Sequence, residues 1–271
     1  MEKKALFLDM DGTTLDDQVQ VPEGNKRAIR QAIQAGHEVV VTTGRPMASA
    51  RMLLERWGLD RLGCRYVIAF NGGMVLDALT GELLYEKTMP LAWMRRIAEE
   101  AKRADVYVQT YEGELVLTDQ DGESLRHYLN KNRMKAKIVP DLLTGMTREA
   151  CKFLAIDLSE SGRLQAFCDG MKEWSADKLD LYYSSGQYLE IMPKGVCKGA
   201  ALEAFCRSRG IAIENSVAAG DEYNDISMLR AAGTGCAVAN ARPEVKAAAD
   251  YVTQRDNNHA AIEEIIGKFM L

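Results

Sequence analysis

Ala5-Leu6-Phe7-Leu8-Asp9-Met10-Asp11-Gly12-Thr13 is the stretch whose reading decides the fold. Four apolar residues stop abruptly at acids, as a short buried strand does at its end. Ligands of parallel α/β sheets gather at the carboxyl ends of strands, where Asp9 and Asp11 stand. Residues two apart in extended chain share a face, so the two carboxylates can act together, and Gly12 lets the backbone turn away. Two carboxylates about 4 Å apart repel by roughly 4 kcal/mol at an effective dielectric of 20. The pair therefore asks for a cation, a shared proton or water. An ordinary Asp-Gly turn accounts for Asp11-Gly12 but leaves Asp9 unexplained.

Outward from this strand the chain alternates. Pro22 to Ala35 reads as a helix with Gly36 beyond its end, and Val39 to Thr42 as a β-branched strand. Met47 to Trp57 is a helix closed by Gly58, and Tyr66 to Phe70 a third strand. The last third repeats the pattern: helix 198–209, strand 216–219, helix 223–232, strand 235–238, helix 242–249, a brief strand at Tyr251-Val252 and helix 258–269. Such alternation gives βαβ units and an α/β fold, a parallel sheet with helices on both faces. Between the halves the rhythm changes. Helices are expected at 91–104, 124–131 and 162–171, and strands at 106–111, 115–118, 152–157 and 179–184. That is an inserted α+β unit with mixed or antiparallel pairing, with linkers near Gly81–Glu86 and Gln187–Met192. The expected division is 1–84 with 189–271 as the core and 85–188 as the insert.

Composition narrows the function. A chain of 271 residues, 47% hydrophobic and 27% charged, is of ordinary globular make-up. A net charge of -5 argues against a nucleic-acid partner, while leaving room for small anionic substrates. No run reaches the length of a membrane span, and the stretch before Asp9 is too short for a signal peptide, so the expected location is cytoplasmic. The six cysteines make no Cys-x-x-Cys pair and read as reduced core residues. The three histidines lie far apart, so a metal site here must use oxygen ligands, which suits a hard cation such as Mg²⁺.

Three further motifs sit at strand ends or helix starts. Gly220-Asp221-Glu222-Tyr223-Asn224-Asp225 opens a helix, where acids also serve as plain caps. Asp221 and Asp225 one turn apart, with the Asn224 amide beside them, equally make an oxygen-ligand set for Mg²⁺ near a phosphate oxygen. Val41-Thr42-Thr43-Gly44-Arg45 offers a hydroxyl, a glycine, a helix start and a bidentate guanidinium, and also reads as a simple turn with an exposed Arg45. Lys198 opens its helix, where a cation is unfavourable. Either a nearby anion holds it there or it is a solvated surface lysine. Asn71-Gly72-Gly73 is a turn after the third strand.

In this order the motifs resemble those of the haloacid dehalogenase-like phosphatase superfamily, and the long insert followed by Pro193-Lys194-Gly195-Val196-Cys197-Lys198-Gly199 resembles its Cof-like branch with a subclass IIB cap. The resemblance implies a Rossmann-like core, an inserted cap that sets substrate specificity, and Mg²⁺. It implies Asp9 as the nucleophile that becomes aspartyl-phosphate and Asp11 as general acid/base. Thr43 and Lys198 would hold the phosphoryl group. Asp9, the Met10 carbonyl and Asp221 would bind the metal, with Asp11 as its main-chain neighbour or in its outer shell and Asp225 behind them. Gly12, Gly44, Arg45, Asn71 and Asn224 would line the phosphate pocket. Thr14 departs from the leucine common in the family, with no functional consequence expected.

The expected function is thus Mg²⁺-dependent hydrolysis of a small phosphorylated metabolite, a sugar phosphate or similar. One rival is a phosphomutase on the same scaffold, which needs converging arginines to cradle a second phosphate. Another is a receiver-like regulatory module that stores a phospho-aspartate; Asp11 argues against it, since a base there promotes loss of the phosphoryl group. In the insert, Tyr111, Tyr128, Tyr182, Tyr183 and Arg126 read as core or surface residues before substrate contacts. The sequence leaves the oligomeric state open.

Overall fold

The computed structural model describes residues 2–271, apart from the side chain of Ser185. The chain divides into two compact units, Met1–Tyr85 with Cys197–Leu271, and Glu86–Val196. Strands β1 (Ala5–Leu8), β2 (Glu38–Thr42), β3 (Tyr66–Ala69), β4 (Met74–Asp77) and β5 (Glu82–Glu86) come first. The second unit carries β6 (Tyr107–Glu112), β7 (Leu115–Thr118), β8 (Lys135–Ile138), β9 (Phe153–Ile156), β10 (Leu179–Ser185) and β11 (Tyr188–Pro193). Then β12 (Ser216–Gly220), β13 (Thr234–Ala237) and β14 (Tyr251–Val252) return to the first sheet.

That first sheet has the order β14-β13-β12-β1-β2-β3-β4-β5. Its pairings from β14 to β3 are parallel, and β4 turns back antiparallel on β3. The central strands are apolar on both sides because both sides are covered. Phe7, Val40, Tyr66, Ile68 and Ala218 pack with Leu202, Phe205, Met228 and Leu229 from the following helices. Phe205 meets the rings of Phe7 and Tyr66 edge-on, with centroids 5.6 and 5.0 Å away, an arrangement aromatic quadrupoles favour. The alternate residues Leu6, Leu8, Val39, Val41 and Val67 are equally buried. Because β1 lies between β12 and β2, the loops leaving these three strands emerge side by side.

The second unit has the sheet order β10-β11-β9-β6-β7-β8, antiparallel except for β7 with β8. Met94, Ile97 and Ala98 of helix Leu91–Arg103 and Phe167 and Met171 of helix Arg163–Ser175 close over Phe153, Leu189 and Ile191. Both segments expected as linkers are strands here, β5 and β11. A division at 188/189 would detach β11 from β10 and β9. Tyr111 and Tyr128 are core residues whose hydroxyls lie 2.6 Å apart, whereas Arg126 is exposed and pairs with Asp121. All six cysteines are free, and all but Cys197 are buried.

Candidate active site

Asp9 follows β1 directly, and its amide donates to Ala219 O of β12 at 3.0 Å. The chain then makes a wide turn. Leu15 N closes it on Met10 O at 2.9 Å, and the Thr14 hydroxyl donates to Asp9 O at 2.6 Å. Met10 O, expected as a metal ligand, thus already accepts one hydrogen bond. Thr14 is fully buried, and its hydroxyl does for the loop what a leucine there cannot. Gly12 has φ +83, and a Cβ built on it would stand 2.5 Å from an Asp221 carboxylate oxygen. Only glycine meets both conditions.

Lys198 is not on the surface. Its side chain is 0% exposed, and Nζ donates to Asp9 Oδ1 and Asp225 Oδ1 at 2.6 Å each. A cation at a helix start is tolerated because two carboxylates face it. Asp225 Oδ2 accepts the amides of Asp221 and Glu222, both at 3.0 Å. With both oxygens engaged, Asp225 anchors Lys198 and the Asp221 loop. Asp221 Oδ1 accepts the Thr13 hydroxyl at 2.6 Å, tying the loop after β1 to the loop after β12. Asp9 Oδ2 accepts nothing from the described residues.

The other expected residues surround this centre. Thr43 is buried beyond β2, and its hydroxyl accepts the Arg45 amide at 3.1 Å. The Arg45 guanidinium holds both oxygens of Asp11 at 2.7 Å, so its bidentate fork meets this carboxylate. Asn224 Nδ2 donates to Asn71 Oδ1 at 3.0 Å, and a Cβ on Gly44 would lie 2.8 Å from that same oxygen. Asn71 sits at φ +53, part of the sharp reversal into β4. Sequence reasoning passed over Thr13 and three asparagines, Asn25, Asn240 and Asn257, whose amides hold carbonyls of the turn. The only signal for them is an unusual supply of amides in Asn240 and Asn257-Asn258, legible once the partners are known.

Asp9, Asp221 and Asp225 each offer an oxygen, all within 4.8 Å of one another. Three carboxylates against one ammonium leave two negative charges in a buried space. Burial, with Asp225 next, pushes the Asp9 pKa well above the usual carboxylate range, even with Lys198 pulling it down. Burial likewise raises Asp221 to about 6, against the Thr13 bond. Burial opposes the charge on Lys198, but Asp225 and Asp9 outweigh it and its pKa ends above the ordinary lysine value. An all-oxygen donor set with this surplus charge fits a hard divalent cation.

Between its ordinary 3.8 and about 6, Asp221 is protonated in the folded protein and ionised in the unfolded chain. The metal-free fold therefore gains stability as pH falls through about 6, while a divalent cation, which would need the ionised form, would bind less tightly. Calorimetric titration should show affinity dropping by up to about tenfold per pH unit below that value. Constant affinity from pH 7.5 to 5 would contradict the site.

The sequence pattern of the haloacid dehalogenase-like hydrolases matches residues 6–266. A Streptococcus pyogenes protein provisionally named a phosphatase is 31% identical over 274 residues, spanning 100% of both chains. A Bacillus subtilis 5-amino-6-(5-phospho-D-ribitylamino)uracil phosphatase is 27% identical, over 92% of this chain and 89% of its own. Among solved structures, a haloacid dehalogenase-like hydrolase from Bacteroides thetaiotaomicron superposes with TM-score 0.89 at 26% identity, covering 98% and 99% of the two chains. A subclass IIB sugar phosphatase of the superfamily shares the fold, with TM-score 0.84 at 23% identity over 99% and 100%. The chain belongs to the haloacid dehalogenase-like hydrolases and is an enzyme of the phosphatase kind within them. Its fold is the Rossmann-like core with an inserted unit that its motifs implied. Among the described residues no helix is long and apolar enough to cross a membrane.

Proposed function

We propose that this enzyme hydrolyses a small phosphorylated metabolite, a sugar phosphate or a similar monoester, through a phosphoryl group carried on Asp9 with Mg²⁺ bound. The observation that carries the reading is the fully buried Lys198 held between Asp9 and Asp225 beside a three-carboxylate cluster. Such a centre repels a phosphate unless a cation is added, and attracts one when it is.

Asp9 and Asp221 would hold Mg²⁺, with the main chain at Met10–Asp11 beside them and Asp225 behind. Bound there, the ion supplies charge neutralisation for carboxylate and phosphate together. Asp9 attacks phosphorus with its uncommitted oxygen as the ester P–O bond breaks. Lys198, fixed on the other oxygen, and Thr43 stabilise the equatorial oxygens of the transferring group. Asp11 gives its proton to the leaving alkoxide. It then takes one from the water that attacks phosphorus, releasing inorganic phosphate and restoring Asp9. In the structure Arg45 grips Asp11, so substrate arrival must either share or displace that contact. Choice of substrate falls to the insert, Glu86–Val196.

Purified protein should hydrolyse an aryl phosphate in Mg²⁺, lose turnover in excess chelator, and recover it when Mg²⁺ is restored. Undiminished turnover in chelator would exclude the cation from the mechanism.

A further inference from the structure

We infer that Asn240 is a positioning residue for the chemistry at Asp9 and Asp11, acting through the carbonyl of Gly12; this rests on the phosphatase reading above. Its Nδ2 donates to Gly12 O at 2.7 Å, while its Oδ1 accepts the Asn257 amide at 3.0 Å. Both bonds are met in one orientation of the amide, so the side chain is oriented from behind. Asn257 in turn donates through Nδ2 to Leu15 O at 3.0 Å, at the far end of the same turn. The two asparagines, one after β13 and one before the last helix, thus pin the catalytic turn at both ends.

Asn240 holds the more consequential end. Gly12 is the residue in the left-handed region, with no side chain to restrict its torsions. The direction of its carbonyl sets where the backbone carries Asp11 on one side and Thr13 on the other. Thr13 is the residue bonded to Asp221. Other bonds fix Asp9, Thr14 and Leu15, and Asn240 is the side chain that holds the Gly12 carbonyl. Asn240 is itself solvent-exposed, so its bond competes with water and adds little to stability. Its contribution is direction, which catalysis needs and folding does not.

Two substitutions separate the roles. Asn240→Ala removes both bonds. Asn240→Asp keeps the size and the acceptor for the Asn257 amide, but sets an oxygen against Gly12 O. With aryl phosphate and saturating Mg²⁺, kcat should fall by about tenfold to a hundredfold in both, with KM changed by less than about twofold. The thermal midpoints should stay close to that of the parent enzyme. If both variants keep the parent kcat, or if the aspartate variant keeps it while alanine does not, Asn240 only supports Asn257 and the inference fails. If the alanine variant does not fold, the aspartate variant alone decides the matter by the same criterion. A parent enzyme without turnover would sink the phosphatase reading, and this inference with it, before any variant is compared.

Discussion

Asp9→Asn should lower kcat by at least about 10⁴-fold, as loss of a covalent nucleophile does, while leaving the metal-free protein as stable as before or more so. The two effects have one cause. Asp9 is a buried carboxylate whose pKa is driven up by burial and by Asp225. Its ionised form is therefore a cost to the folded state at neutral pH, one that the proposed nucleophile role would explain. An amide of the same shape removes that cost, although it also takes one acceptor from Lys198. Turnover of an aryl phosphate and thermal unfolding in chelator, measured on the same preparations, check both halves. Activity that survives the substitution undiminished would end the nucleophile assignment. A large fall in stability would show that Asp9 serves the fold.

Lys198→Met should act in the opposite sense, losing activity and stability together. Methionine has nearly the volume of the lysine stem, so packing is kept and the charge is lost. Two carboxylates, Asp9 and Asp225, would then face each other across a buried space without their shared cation. Breaking a buried ion pair by removing one partner costs about 3–5 kcal/mol. Loss of a preorganised contact to the transferring group costs about 10²- to 10³-fold in kcat. Urea unfolding and steady-state kinetics read the two. If adding Asp225→Asn to this variant recovers stability but not turnover, the unfolding effect is electrostatic. A methionine variant as stable and active as the parent would mean that Lys198 carries neither role.

The motifs of the candidate site were legible because each stands where a strand ends or a helix begins, and such places have their own sequence grammar. β1 could be read from four apolar residues, and Asp9 and Asp11 from the acids that stop them. Lys198 stood out as a charge on the wrong end of a helix, and of the two readings that position allows, the structure bears out the nearby anions, Asp9 and Asp225. What could not be read was long-range pairing. The linker expected near Gln187–Met192 is strand β11, in which Glu190 interrupts an otherwise apolar run. Glu190 is buried in the sheet beside Lys152, itself 3% exposed, and nothing local in either segment announces that ion pair. β8, Lys-Ala-Lys-Ile, lies at the sheet edge with alternating lysines and carries no core signature. Arg45, expected in the phosphate pocket, also grips Asp11, a contact between loops from neighbouring strands. The asparagines behind the turn were invisible for the same reason, since each acts on a carbonyl more than ten residues away.

The most direct test of the account is to catch the phosphoryl group on Asp9. In Asp11→Asn the second step lacks its base. An aryl phosphate with a good leaving group needs no proton, so the first step can still run. Acid quenching in mid-turnover, followed by digestion and mass spectrometry, should find one added phosphoryl group on the peptide containing Asp9. Substrate turned over with no phosphoryl group on that peptide, or with the group on another residue, would contradict covalent catalysis by Asp9.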